Sequence, residues 1–321
     1  MTKYRTTKKI FPILASLFLA AYGTDGQQKE TFTYVQRDSM LYADVYRPAH
    51  PREDRATVIS VFGGGFIMGK RDDSLQRKTA RMLSERGFTV ISIDYRLGLK
   101  DSVKVAEYSG LLNTNDLFRH CIGLAVEDCA AAVAWACSRA AELGIDTSKI
   151  ILTGNSAGAI TILQLDYCRA NGLPPAKTLP KGWKPAAVIP YAGGILCRKH
   201  DLEYANPPAP TLMMHGMKDK IVAYKHFGLP FSAGMNGSSR ISDQLRKQDI
   251  PHWIIRFKGI GHEVAAWFPH SVEIFCCFAE QALAGRSTSL DATMTDAGLQ
   301  PTIWTTMNML QMYRAVNKKQ K

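Results

Sequence analysis

Short apolar runs punctuate the chain, separated by stretches whose apolar residues recur at helical spacing. "ATVISVF" (56–62), "FTVISIDYR" (88–96) and "KIILTG" (149–154) are nearly unbroken β-branched sequence. A strand with one wet face alternates apolar and polar residues, so an unbroken run predicts a strand covered on both faces. "AAVIPYAGG" (186–194), "PTLMMHG" (210–216) and "HWIIRFKGIG" (252–261) supply three more strands. Ahead of them, "TFTYVQRDSMLYADVYRP" alternates and breaks at "RDS", which predicts a hairpin. Helical spacing fits "SLQRKTARMLSERG", which Gly87 stops, then roughly 122–143 before Gly144, then "AGAITILQLDYCRA", then a stretch around 264–283. The pattern fades from Leu97 to about His120, in the proline-rich 171–185 and across 225–240. These are expected to be loops.

Strands alternating with helices of ten or more residues predict an α/β fold, a mostly parallel sheet with helices on both faces. The 321 residues show no internal repeat, and residues 24–285 read as one domain. Residues 286–321 are weakly patterned and read as an extension. Lys3, Arg5, Lys8 and Lys9 precede "IFPILASLFLAAY", after which the chain turns polar. That order predicts a signal peptide over residues 1–23 and an exported, periplasmic or secreted protein with no stable membrane insertion after cleavage.

Charge and cysteine usage remove two classes of partner. The net charge of +12 draws on the presumed signal and on the basic tail of Arg314, Lys318, Lys319 and Lys321. The remaining excess is dispersed, which is not a nucleic-acid footprint. Among the seven cysteines no C-x-x-C pair occurs, so no zinc site is expected, and buried apolar packing is their expected role.

The candidate chemistry starts at Gly154-Asn155-Ser156-Ala157-Gly158, a G-x-S-x-G sequence directly after a buried strand and opening a helix. A tight strand-to-helix turn lifts a serine hydroxyl clear of the sheet, and the helix N-terminus aims free N–H groups at developing negative charge. A serine hydroxyl needs a base, and the base needs an acid to orient it. In this setting the chain order is serine, acid, histidine. Asp219 follows the strand ending at Gly216, and His262 follows the next strand, both at carboxyl ends where α/β sheets gather ligands. His215 reads as a packed residue, His252 lies at the start of its strand, and Asp166 sits too far along its helix. Glu263 reads as a solvated neighbour of His262.

These residues give the sequence its resemblance to the α/β-hydrolase fold, in its serine esterase and lipase branch. The resemblance runs over roughly residues 32–283 and rests on "VFGGGF", "IDYR", "GIDTSKIILTGNSAGA", "HGMKD" and "GIGHE" in family order. It is similar to exported bacterial carboxylesterases related to acetyl xylan and feruloyl esterases. The resemblance implies an eight-stranded sheet, no large cap domain, no cofactor, no metal, and an ester of a small molecule or glycan as partner. It implies Ser156 as nucleophile, His262 as base then acid, and Asp219 as the group fixing the imidazole tautomer. The family's oxyanion loop is usually H-G-G-G, which assigns backbone donors to Gly64, Gly65 and Ala157. Phe62 stands where that loop has histidine, which predicts a different brace and a more apolar entrance. Tyr108, Phe118 and Trp183 are candidate pocket residues.

Three rival readings fare worse. Gly64 to Lys70 spells G-x-x-x-x-G-K, but Arg71 replaces the Ser or Thr that a phosphate-binding P-loop uses to hold magnesium. A non-catalytic binding module of the same fold normally lacks one member of the triad, and all three are present. A serine peptidase of the fold commonly carries a large gating domain, for which this chain has no room, so that reading survives as a compact peptidase or amidase with the same three residues.

Overall fold

The computed structural model describes residues 21–22, 28–100, 111–198, 202–228 and 233–319. Tyr108 and nearly all of the expected signal peptide lie outside them. Thirteen strands are present among the described residues: β1 Ala21–Tyr22, β2 Gln28–Gln36, β3 Met40–Arg47, β4 Thr57–Val61, β5 Thr89–Ile93, β6 Ile150–Asn155, β7 Ala187–Tyr191, β8 Gly194–Arg198, β9 Leu212–Gly216, β10 His226–Phe227, β11 Ala233–Gly237, β12 Trp253–Phe257 and β13 Leu290–Met294. Ten form one sheet in the order β1-β2-β3-β5-β4-β6-β7-β9-β12-β13. β2 and β3 are the expected antiparallel hairpin, and every pair from β5 through β13 is parallel.

This is the α/β-hydrolase fold. The eight strands β2–β7, β9 and β12 make its frame, and the sheet is wider than expected because β1 and β13 extend its two edges. All five residues of β4, β5, β7 and β9 are buried, the physical content of their unbroken apolar runs. One apolar cluster lies under the helices Leu111–Ser138 and Ala157–Ala170, the other under Ser74–Ser84 and Phe268–Leu283. Helix Ser74–Ser84 shows the logic in miniature. Asp73 caps Gln76 N–H, the buried positions 76, 79, 80 and 83 form one stripe, and Gly87 (φ 83°) reverses the chain beyond it.

Three expectations need correction. Leu111–His120 is the first three turns of a 28-residue helix rather than loop. Part of 225–240 pairs into a small sheet, β10-β11-β8, beside the main one. Residues 286–319 are built into the domain, through β13 and the helices Ile303–Thr306 and Met309–Lys319. The segment Asp116–Ser138 is long and apolar enough to cross a membrane, but 56% of its most apolar window is buried inside the fold.

Candidate active site

Ser156, Asp219 and His262 converge at the carboxyl ends of β6, β9 and β12. Their hydrogen bonds form one line. His262 Nε2 lies 2.8 Å from Ser156 Oγ, and His262 Nδ1 lies 2.7 Å from Asp219 Oδ2. All three residues are at least 92% buried, from the exposures of 8%, 5% and 7%. A carboxylate only accepts, so Nδ1 carries the proton and Nε2 is left to accept from the serine hydroxyl.

Each side chain is positioned by its local backbone. Ser156 adopts φ 52°, ψ −118°, a conformation costly for any residue with a Cβ. The turn is held by Ser156 N–H donating to Tyr191 O (2.9 Å) and by close approach of the following helix to β4. A Cβ on Gly158 would sit 2.0 Å from Val61 O, which is backbone and has no room to yield. Gly158→Ala is therefore expected to cost at least about 1–3 kcal/mol and to lower the melting temperature measurably by calorimetry.

Asp219 is saturated with donors. Its Oδ1 accepts Ile221 N–H (2.9 Å) and Val222 N–H (3.0 Å), while Oδ2 accepts His262 and, at 3.2 Å, His215 Nε2. Burial alone would raise its pKa; the opposed charge of His262 and the hydrogen bonds from both histidines outweigh this and hold it well below the usual carboxylate range. His215 is packed, as expected, and it also supports the site. Its Nε2 faces two acceptors, Asp219 Oδ2 and Val222 O, so that nitrogen is the donor, and Nδ1 accepts from Ser238 Oγ at 2.8 Å.

The glycine loop after β4 faces the serine turn. Gly63 N–H donates to Asn155 Oδ1 (3.0 Å), and a Cβ on Gly63 would press on Asn155 and on Ser156 Cβ. Gly64 and Gly65 have φ of 130° and 63°, and a Cβ on Gly64 would lie 2.0 Å from Met68 O, so the loop requires glycine there. No acceptor among the described residues takes the N–H of Gly64, Gly65 or Ala157.

Phe62 differs from its expected role. It is 1% exposed and stacks on Tyr95 at 4.4 Å, so it lies under the loop and adds nothing to the entrance. Tyr95 Oη donates to Phe62 O at 3.0 Å, supplying part of the brace. Arg71, the residue that spoils the P-loop reading, pairs with Asp44 (3.0 Å) and Asp94 (2.6 Å), and Lys70 is an exposed charge near Asp72.

A cavity of about 190 Å³ opens beside Gly65 and Ala157, walled by Phe66, Phe118, Ile160, Leu196, Phe227 and Met235 among others. Phe118 is there, in edge contact with Phe66 at 6.0 Å. Trp183 is not: its Nε1 donates to Thr147 O near the amino end of β6, remote from the strand ends that carry the serine. Of the expected walls, 171–185 stands away from the cavity and 225–240 contributes. Glu263, expected in solvent, is buried. It accepts Gly261 N–H, Thr302 N–H and the hydroxyls of Thr302 and Thr305 at 2.7–2.9 Å. Cys121, Cys129, Cys168 and Cys197 are buried as expected, and Cys277 is exposed.

Known proteins resemble this chain in sequence and in fold. The carboxylesterase family model matches residues 20–170. Esterase E4 of Myzus persicae is 26% identical over 133 residues, 40% of this chain and 22% of the aphid protein. Para-nitrobenzyl esterase of Bacillus subtilis is 25% identical over 130 residues, 40% of this chain and 25% of that protein. The matched stretches thus span about a quarter of those relatives. Among solved structures, a thermophilic esterase of Thermogutta terrifontis superposes with a TM-score of 0.57 at 20% identity, over 78% of this chain and 91% of that one. The likeness to solved structures shows the α/β-hydrolase fold, and in sequence the first half of the chain resembles the carboxylesterase family.

Proposed function

We propose that this protein is a serine carboxylic-ester hydrolase acting through an acyl-enzyme. The observation that carries the reading is the unbroken hydrogen-bonded line from Asp219 through His262 to Ser156 on a strained turn. Ser156 Oγ attacks the ester carbonyl while His262 Nε2 takes its proton, and Asp219 holds the imidazole in the required tautomer. The N–H groups of Gly64, Gly65 and Ala157 receive the oxyanion; loss of one such donor typically costs about 2.7–4 kcal/mol of transition-state stabilisation. His262 then protonates the leaving alcohol, and water repeats the sequence to release the acid. The basic-then-apolar first 23 residues support export, which places the esters of small molecules and of glycans outside the cytoplasm among its substrates.

Initial rates on p-nitrophenyl acetate, butyrate and octanoate, a feruloyl ester and acetylated xylan test this. Saturable hydrolysis of at least one is expected. Inertness towards every ester, thioester and amide offered would make the protein a binding module.

A further inference from the structure

The polar and aromatic residues after Pro301 form a strap across the site. Thr302 and Thr305 are bonded to Glu263, the residue after His262. Gly261 packs so tightly on this strap that a Cβ would lie 2.5 Å from Thr305 Cα. Trp304 is half-exposed with its ring 6.4 Å from that of His262. Asn308 bridges to Lys220, the residue after Asp219. Tyr313 Oη then donates to Gly65 O at 2.8 Å, and its ring meets Phe118 edge-on at 6.1 Å. One short segment thus holds the histidine loop, the acid loop and the glycine loop together. Met309, Met312 and Tyr313 also line the apolar cavity beside Gly65 and Ala157.

We propose that residues 302–313 belong to the active site in two capacities. Tyr313 is a positioning residue that ties down the Gly65–Phe66 peptide and so steadies the N–H groups of Gly64 and Gly65, and Met309 and Met312 form the wall that sets how long an apolar acyl chain the site accepts. The inference rests on the ester-hydrolase reading. Its physical basis is that glycines at positive φ have little intrinsic preference for one conformation, so donors on them need an external tie. The family's usual loop histidine is absent, and Phe62 supplies stacking but no hydrogen bond from its side chain. Burial pushes the Tyr313 pKa well above the ordinary phenol value, so the hydroxyl stays a donor. The cavity lining is mainly apolar, which suits an acyl group longer than acetyl.

The test compares the full-length chain with Tyr313→Phe and Met309→Trp on p-nitrophenyl acetate, butyrate and octanoate. Tyr313→Phe removes one oxygen and keeps the ring, and its kcat on butyrate is expected to fall about tenfold to a hundredfold with KM within about twofold. Met309→Trp is expected to shift the octanoate-to-acetate ratio of kcat/KM downward by about tenfold. A folded Tyr313→Phe with unchanged kcat, or with only a lower melting temperature, overturns the positioning role. An unchanged chain-length ratio in Met309→Trp overturns the wall. If the unaltered chain hydrolyses none of these esters, the hydrolase reading itself has failed, which separates the two cases.

Discussion

Ser156→Ala is expected to abolish ester hydrolysis, lowering kcat on p-nitrophenyl butyrate by about 10⁵–10⁶-fold. The loss is this large because the three residues act as a unit: without the hydroxyl, His262 has no proton to take and no acyl-enzyme forms. What remains is the background that oriented donors and a bound ester give to attack by water. KM is expected to change little, since Ser156 is not among the residues that line the apolar cavity. Stability is expected to hold as well. The serine hydroxyl bonds to His262, while the turn is held by Ser156 N–H on Tyr191 O and by the packing of Gly158, neither of which the substitution touches. Calorimetry alongside steady-state kinetics checks both statements. Hydrolysis surviving in the variant would sink Ser156 as nucleophile and move the chemistry elsewhere on the chain.

The placement of that line of residues was legible because it depends on short-range signals. Buried parallel strands announce themselves as β-branched runs, and a site built on strand ends inherits their predictability. What the sequence concealed depends on partners far away in the chain. "LLNTNDLFRH" (111–120) reads as loop because Asn113, Thr114, Asn115 and Asp116 all favour turns. It is helical because Phe118 is anchored against Phe66 and Tyr313, contacts no local pattern reports. β8 and β11 were missed for a similar reason: "GILCR" and "AGMNG" carry little intrinsic strand preference and are ordered by pairing with each other. Glu263 looked solvated because its partners, Thr302 and Thr305, lie about forty residues on. A weak clue was present, since Thr302 after Pro301 is a plausible helix cap, and it does cap Trp304 N–H. Trp183 illustrates the opposite error. An aromatic residue in a loop was expected in the pocket, but this loop leads from a helix end into the amino end of β7, and Trp183 bonds to Thr147 just ahead of β6.

Asp219→Asn is expected to lower kcat by about 10⁴-fold and also to destabilise the fold, a combination that follows from the four donors around the carboxylate. Ile221 N–H and Val222 N–H point at Oδ1, and both His262 Nδ1 and His215 Nε2 point at Oδ2. An amide offers acceptor capacity on one side only. With its oxygen kept on the backbone pair, its NH₂ faces two ring N–H groups and drives His262 to the other tautomer. Nε2 then carries a proton and no longer accepts one from Ser156. With the amide turned round, the NH₂ opposes two buried peptide N–H groups, and donors left unsatisfied there cost about 1–3 kcal/mol each. The carboxylate also ties stability to pH. Its folded pKa is depressed, so its contribution is complete above the unfolded-state value near about 3.9 and is lost as pH falls towards the folded value. The asparagine variant has no such group to protonate. Its melting temperature is therefore expected to lie below that of the unaltered protein at pH 7, with the gap narrowing below about pH 4. Thermal unfolding of the two proteins across that range, with kcat measured at pH 7, checks both halves. A variant that keeps its activity, or a stability gap that does not change with pH, would mean that Asp219 is not the ionised partner of His262.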